Sequence, residues 1–164
     1  MTLAAATLED ALASLTPTAS EATAISRLVD AWESYFGEAT VSGGPLVAGS
    51  IDAGLDAMAA ALVGLSATGA GAAKIASAAA AFWSTQAALA TVMWVTAPVV
   101  LVPPIVPPAG LASLQASLEA IFAAGPYDLD EAAHEIAAAW HAASTGATVP
   151  GSVPPAPPAP LVVT

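Results

Sequence analysis

The chain has 164 residues, of which 57 % are hydrophobic and 9 % are charged, and its 13 acidic and two basic residues give a net charge of −11. Average soluble proteins carry roughly 25 % charged residues, so this composition is unusual for a monomer whose whole surface faces water. The negative charge argues against nucleic-acid binding, and the absence of cysteine excludes disulfides, thiol catalysis and thiolate metal sites.

The length fits one helical domain, residues 1–146, followed by an extended arm, residues 147–164. The N-terminus, MTLAAATLED, has two acids and no basic residue, which is not the pattern of a secretory signal. We therefore expect synthesis in the cytoplasm without Sec export.

Three amphipathic helices are predicted in the first 65 residues. Thr7 is the expected N-cap of the first, and Thr18 with Glu21 forms the expected capping box of the second. A Gly- and Pro-rich loop, residues 38–50, allows a short hairpin of residues 39–41 against 46–48, and Ser50 then caps the third helix. The apolar positions of the three helices are Leu8, Leu12 and Leu15; Ile25, Leu28, Val29, Trp32 and Phe36; and Ile51, Leu55, Met58, Leu62 and Leu65.

A neutral stretch occupies the middle of the chain, because Lys74 is the only charged residue between Asp56 and Glu119. Its Ala-rich helix is expected to continue to Pro98, where the ring stops it. Its apolar residues form two faces, Ile75, Phe82, Leu89 and Met93 on one, and Trp83, Ala87, Ala90 and Trp94 on the other. Residues 98–108, PVVLVPPIVPP, are expected to form an extended apolar loop.

Two further helices and the arm complete the prediction. The fifth helix presents Leu111, Leu114, Leu118, Ile121 and Phe122 and ends at Gly125-Pro126. The sixth opens with a capping pattern of Asp128 and Glu131 and stops at Gly146. Its core face comprises Leu129, Ala133, Ile136, Trp140 and Ala143. The fold class is therefore all-α, a bundle of five to six Ala-rich helices with a Pro-rich loop and an extended C-terminal arm.

No residue set carries a recognisable chemistry. Asp130 and His134 offer two metal ligands where three or four are needed, and His134 and His141 lack the four-residue spacing of a zinc-protease helix. The acid pairs Asp52 with Asp56 and Asp30 with Glu33 are expected on solvated helix faces. We predict no catalytic, cofactor-binding or metal-binding residue, no cofactor and no enzymatic activity.

The run from Ser26 to Trp83, SRLVDAWESYFG…AAAAFW, is followed by a Pro-rich apolar segment and a second Ala-rich helical part. In composition and segment order, residues 26–145 resemble small uncharacterised structural proteins encoded among the tail genes of phages and phage-like contractile particles. The resemblance implies a structural subunit of a tail, neck or baseplate, located in a virion or phage-like particle. It assigns no functional residue.

The charge-poor helices and the arm independently predict a multimeric, non-enzymatic assembly subunit. Its expected partners are copies of itself and other structural proteins of the same particle, with no nucleic acid. The alternative for Trp83 and Trp94 is that they fill the core of the bundle instead of contacting a neighbouring subunit. Predicted contact residues are Trp83, Trp94, Val99, Val100, Leu101, Val102, Ile105, Val106, Pro154, Pro155, Leu161 and Val162.

A membrane role is the alternative function. Residues 75–102 contain no charge and are long enough to cross a bilayer, as in a small pore or lysis protein. Several hydroxyl groups, Gln86 and the lack of flanking basic residues count against insertion.

Overall fold

Six α-helices form the body of the described part of the protein, as seen in a computed structural model. The structure describes residues 4–15, 20–37, 40–41, 44–48, 51–67, 69–92, 106–124, 128–146, 148–151 and 159–162. The helices are α1 (Ala5–Ala13), α2 (Glu21–Gly37), α3 (Asp52–Leu62), α4 (Gly71–Leu89), α5 (Leu111–Ala124) and α6 (Leu129–Ser144). The predicted all-α fold class is confirmed, since these helices supply the entire described core.

Short strands accompany the bundle. They are β1 (Thr40–Val41), β2 (Gly44–Ala48), β3 (Ala90–Val92), β4 (Thr148–Gly151) and β5 (Ala159–Val162). Strands β1, β2 and β3 form an antiparallel sheet in that order, and β4 pairs only with β5 within the described sheets. The predicted hairpin is therefore present in part, because Thr40 pairs with Pro45, whereas Leu46 to Ala48 pair with Val92 to Ala90.

The central helix is shorter than the sequence pattern predicts. Helix α4 ends at Leu89 instead of continuing to Pro98, and Ala90, Thr91 and Val92 follow as a strand. Thr91 and Val92 are β-branched and lose rotamer freedom in a helix, and pairing with β2 satisfies their backbone groups instead. Among the described residues no helix is long and apolar enough to cross a membrane.

The core lies where α2, α3, α4 and α6 converge, and the predicted apolar stripes supply it, except that Phe122 and Leu129, predicted on the stripes of α5 and α6, are exposed near the helix ends. Helix α3 packs most extensively against α4, while α1 lies against α6 and α2, and α5 lies against α4 and α6. The stripe predicted for α3 is confirmed, since Leu55, Met58 and Leu62 are buried and Ile51 and Leu65 pack against them. The largest of the fully buried side chains are aromatic: Trp32, Tyr35, Phe82, Trp83 and Trp140.

Three of the predicted N-caps differ from the structure, and the third helix has Ile51 instead of Ser50 as its N-cap. Thr7 lies inside α1, whose N-cap is Ala4, because the preceding alanines favour an earlier start. Helix α2 begins at Glu21, and the Ser20 hydroxyl accepts a hydrogen bond from the Thr23 N–H; Thr18 lies outside the described residues. The Asp128 cap is confirmed, since its carboxylate accepts the Glu131 N–H at 2.8 Å.

Candidate functional site

Trp83 fills the core, which corrects its prediction as a subunit contact. Its side chain is 1 % exposed and packs edge-on against Phe82 and Phe36 at ring distances of 5.9 and 5.6 Å. A residue enclosed by its own chain has no surface to offer a neighbour. The alternative drawn from the sequence, filling of the bundle core, describes Trp83.

The other predicted contact residues receive only a partial description. Val106 is exposed, as a contact residue must be. Leu161 and Val162 belong to β5, where they pair with Val149 and Thr148. The remaining predictions fall outside the described residues; they are Trp94, Val99, Val100, Leu101, Val102, Ile105, Pro154 and Pro155.

A tyrosine–histidine pair links α2 to α6 beside the aromatic core. The Tyr35 hydroxyl lies 2.9 Å from His141 Nδ1, and the stacked rings of Trp32 and Trp140, 4.8 Å apart, lie alongside. Burial lowers the pKa of His141 and so favours the neutral ring, whose Nδ1 shares a hydrogen bond with the Tyr35 hydroxyl. Burial also raises the pKa of Tyr35, and the neighbouring Ser144 hydroxyl opposes this rise to a smaller extent. The pair is a structural link held in its neutral form.

Several buried polar atoms of the core have no hydrogen-bond partner. Both polar atoms of Gln86 are unpaired although its side chain is fully buried, and the same holds for Ser144 Oγ, which lies near Tyr35 without hydrogen-bond geometry. The indole N–H groups of Trp32, Trp83 and Trp140 are likewise unpaired. None of these residues lines either of the two grooves between the helices, α1 with α2 and α5 with α6.

Sequence reasoning missed Tyr35 and Gln86 for different reasons. Tyr35 follows Leu28 by seven residues and Trp32 by three, so the helical period of α2 contained the signal for its burial. Gln86 carried no such signal, because a polar residue on an Ala-rich helix is normally expected to face water.

The acidic residues of the described part of the chain lie at separate places on the surface. His134 pairs with Glu9 of α1 through Nδ1 and Oε2, 2.9 Å apart, and this contact joins α1 to α6 at the surface. The pairs Asp52 with Asp56 and Asp30 with Glu33 lie on exposed faces. No group of three potential metal ligands occurs among the described residues.

Glu21 fixes the loop between α3 and α4. Its carboxylate accepts the N–H of Gly64 at 2.8 Å, the N–H of Ser66 at 3.2 Å and the Ser66 hydroxyl. The Ser66 hydroxyl, the two amides and, to a smaller extent, Lys74 lower the pKa of Glu21. Gly64 has a φ of 86°, a conformation that glycine adopts without strain. The start of α2 is thereby held beside the end of α3.

Bulky apolar side chains are exposed at this same end of the bundle, which we call the loop end. Val63, next to the Glu21-bound loop, is 61 % exposed, Phe122 in the last turn of α5 is 43 % exposed, and Leu129 at the start of α6 is 50 % exposed. The ring of Phe122 lies against Gly71, the first residue of α4. Three helix junctions therefore bring these residues to one end, where they form the candidate site.

Two open grooves run along the bundle surface. One, of about 400 Å³, lies between α1 and α2 and is lined by Ala11, Ser14, Leu15, Arg27, Asp30, Ala31 and Ser34. The other, of about 510 Å³, lies between α5 and α6 and is lined by Ala120, Ile121, Ala124, His134, Glu135 and Ala138. The second groove includes the last turns of α5, so it opens beside the loop end.

No protein-family model, curated protein or solved structure significantly matches this chain. A functional assignment must therefore rest on the chain's own residues and their arrangement.

Proposed function

We propose that the protein is a non-enzymatic structural subunit of a multimeric particle. It binds copies of itself and other structural proteins through its neutral surfaces. The resemblance to phage-tail proteins in composition and segment order favours a virion or phage-like particle, with a place in the tail, neck or baseplate.

The outer face of α5 is the observation that carries this proposal. Ten of the 14 residues of this helix are exposed, and Leu114 and Leu118 are its only buried ones. The exposed residues are Ala112, Ser113, Gln115, Ala116, Ser117, Glu119, Ala120, Phe122, Ala123 and Ala124. Glu119 alone carries a charge, so the exposed surface of this helix consists mostly of small neutral side chains.

Such a face suits protein contact for a physical reason. Charged groups that enter an interface must lose their hydration, and interface centres are accordingly depleted in charge. Alanines at positions 112, 116, 120 and 123 also allow a neighbouring backbone to approach closely, and they lose almost no side-chain entropy when covered. The outer face of α5 meets both conditions.

The titratable contacts of the described residues support a structural role. Tyr35 with His141 links two helices beside the core, His134 with Glu9 joins α1 to α6, and Glu21 holds a loop. Each contact connects two elements of the bundle. The proposal therefore assigns them to stability and assigns none to catalysis.

Light scattering after gel filtration in detergent-free buffer tests the proposal. We expect a defined multimer of the 15.9 kDa chain. The variant Ala116→Arg places a charge on the outer face of α5 and should reduce the mass while leaving the helical circular dichroism spectrum unchanged. The matched control, Ala22→Arg, alters an exposed alanine of α2 and should assemble like the wild type. Equal masses for both variants would exclude α5 as a contact.

Deletion of residues 147–164 tests the predicted arm. Strands β4 and β5 pair with each other, so the deletion removes both and leaves no strand without its partner. We expect an intact helical spectrum and impaired assembly. Normal assembly of the shortened chain would contradict the arm's role, and a requirement for detergent in either chain would favour the membrane alternative.

A further inference from the structure

The groove between α5 and α6 is an apolar surface with an acidic edge. Its apolar floor consists of Ala120, Ile121, Ala124 and Ala138, and His134 and Glu135 complete its lining. The three alanines are exposed to solvent. An exposed apolar surface of this kind is typical of an interaction site.

Carboxylates border this surface on one side. Glu135 lines the groove, and Glu131 lies one turn before it on the same face of α6, with an exposed side chain. Asp130 is exposed in the first turn of the same helix. A segment bound in the groove would therefore have its apolar side chains on alanine and its outer edge close to two or three negative charges.

The charge of the edge argues against a second copy as the occupant. Each chain carries a net charge of −11 and only two basic residues. Arg27 lines the other groove, between α1 and α2, and Lys74 lies beside Gly64. Pairing two copies through this surface would bring acidic edges together with few cations to compensate them.

We infer that the groove between α5 and α6 is the docking site for an amphipathic helix of a different, basic protein. This inference rests on the proposed structural role and names the chemistry of one partner. The helix inserts bulky apolar side chains over the alanine floor and places Lys or Arg next to Glu131 and Glu135. Recognition of an amphipathic helix in an apolar groove gives affinity, and the charge pairs select the partner and accelerate association.

The test uses a fluorescent 14-residue helical peptide of leucine and lysine, with the leucines on one face, and a counterpart with glutamate in place of every lysine. Fluorescence anisotropy with the full chain should show binding of the lysine peptide only. The double variant E131Q/E135Q should weaken this binding by about five-fold or more and reduce its salt dependence. The double variant D30N/E33Q removes two exposed acids of α2 and should leave the affinity within about two-fold.

A second variant tests the groove without changing charge. Ala138→Phe fills the floor of the groove and should lower the affinity for the lysine peptide by at least about five-fold. An unchanged circular dichroism spectrum would show that the variant is folded. The inference would be overturned if E131Q/E135Q and D30N/E33Q lost the same amount of affinity for the lysine peptide. It would also be overturned if the Ala138→Phe variant bound this peptide as tightly as the wild type. A fall in the wild-type multimer mass caused by Ala138→Phe alone would also overturn it, because the groove would then hold a second copy.

The readouts of the two proposals are separate. Peptide affinity reports on the groove, and the multimer mass reports on the arm and on the part of α5 around Ala116, which does not line the groove. If the chain forms a multimer but does not bind the peptide, the docking site is refuted and the proposed structural role stands. A monomer that binds the peptide with the expected variant pattern refutes self-assembly and leaves the docking site intact.

Discussion

The centre of the bundle and its loop end use apolar residues in opposite ways. At the centre, Trp32 contacts Tyr35, Phe82 and Trp140 at ring distances of 5.0, 5.3 and 4.8 Å and is fully buried. At the loop end, Phe122 leaves 43 % of its surface in water. The same residue class thus stabilises the monomer in one region and is available to a partner in the other, so substitutions in the two regions should have separable effects.

The largest loss of stability is expected for Trp32→Ala. The change removes a ring that contacts three other aromatic side chains and leaves a cavity at the centre of the bundle. We expect a loss of about 3–5 kcal/mol of unfolding free energy, measured by urea denaturation with circular dichroism. Trp32→Phe serves as the control: the indole N–H has no partner, so replacing it breaks no hydrogen bond and should cost less than half as much. Similar losses in both variants would contradict a packing role.

A smaller loss is expected for Gly54→Ala in α3. An added Cβ would stand 2.8 Å from Gln86 Oε1 and 3.0 Å from the Phe82 ring, so the neighbours would have to move. Overpacking costs about 1–3 kcal/mol, which exceeds the roughly 1 kcal/mol that alanine gains over glycine in a helix. We expect a net loss in urea denaturation. A net gain would show that Gln86 moves aside without cost.

A substitution of Gln86, the neighbour of Gly54, should increase stability. Gln86 is fully buried and neither of its polar side-chain atoms has a hydrogen-bond partner. Replacement by methionine keeps the length and removes an unpaired amide, whose burial costs about 1–3 kcal/mol. Gln86→Met should therefore raise the unfolding free energy by about 1 kcal/mol. A loss on this substitution would mean that the amide is hydrogen-bonded in solution.

These examples show how much of the fold could be predicted from the sequence. The Asp128 cap and the helical stripes, apart from the exposed Phe122 and Leu129, were predictable because they depend on residues three to seven positions apart. The end of α4 was not, because Thr91 and Val92 pair with β2, more than 40 residues earlier in the chain. The same reason applies to the loop end and to the link beside the core. Glu21 contacts Gly64 at the loop end across 43 residues of sequence, and Tyr35 contacts His141 beside the core across 106.

The link between Tyr35 and His141 should contribute a moderate, pH-dependent stability. Tyr35→Phe removes one hydrogen bond and should cost about 0.5–1.5 kcal/mol at pH 8. Burial lowers the pKa of His141 in the folded state, so the neutral ring's contribution is complete above its usual pKa of 6.5 and is lost as the pH falls toward the lowered value. His141→Asn should reduce the change of the urea midpoint between pH 7 and pH 5. An unchanged pH profile would contradict this assignment.

The Glu21 contact should affect stability only in the acid range. Its pKa is lowered in the folded state, so its contribution is present above the usual value of 4.5 and is lost as the pH falls through the lowered pKa. Glu21→Gln should reduce the slope of the urea midpoint against pH below that value. Glu33→Gln, at an exposed position of the same helix, is the control and should keep the wild-type slope.

The smallest effect on stability, and the sharpest contrast with Trp32, is expected for Phe122→Ser at the loop end. The ring of Phe122 is 43 % exposed and lies against Gly71, so its loss should lower the unfolding free energy by about 1 kcal/mol or less. The same substitution removes a bulky apolar side chain from the outer face of α5, and the multimer mass in light scattering should fall. Glu33→Gln, at an exposed position of α2, is the control and should keep the wild-type mass. If Phe122→Ser instead unfolds the chain as Trp32→Ala does, its ring belongs to the core, and the division between a stabilising centre and a binding end fails.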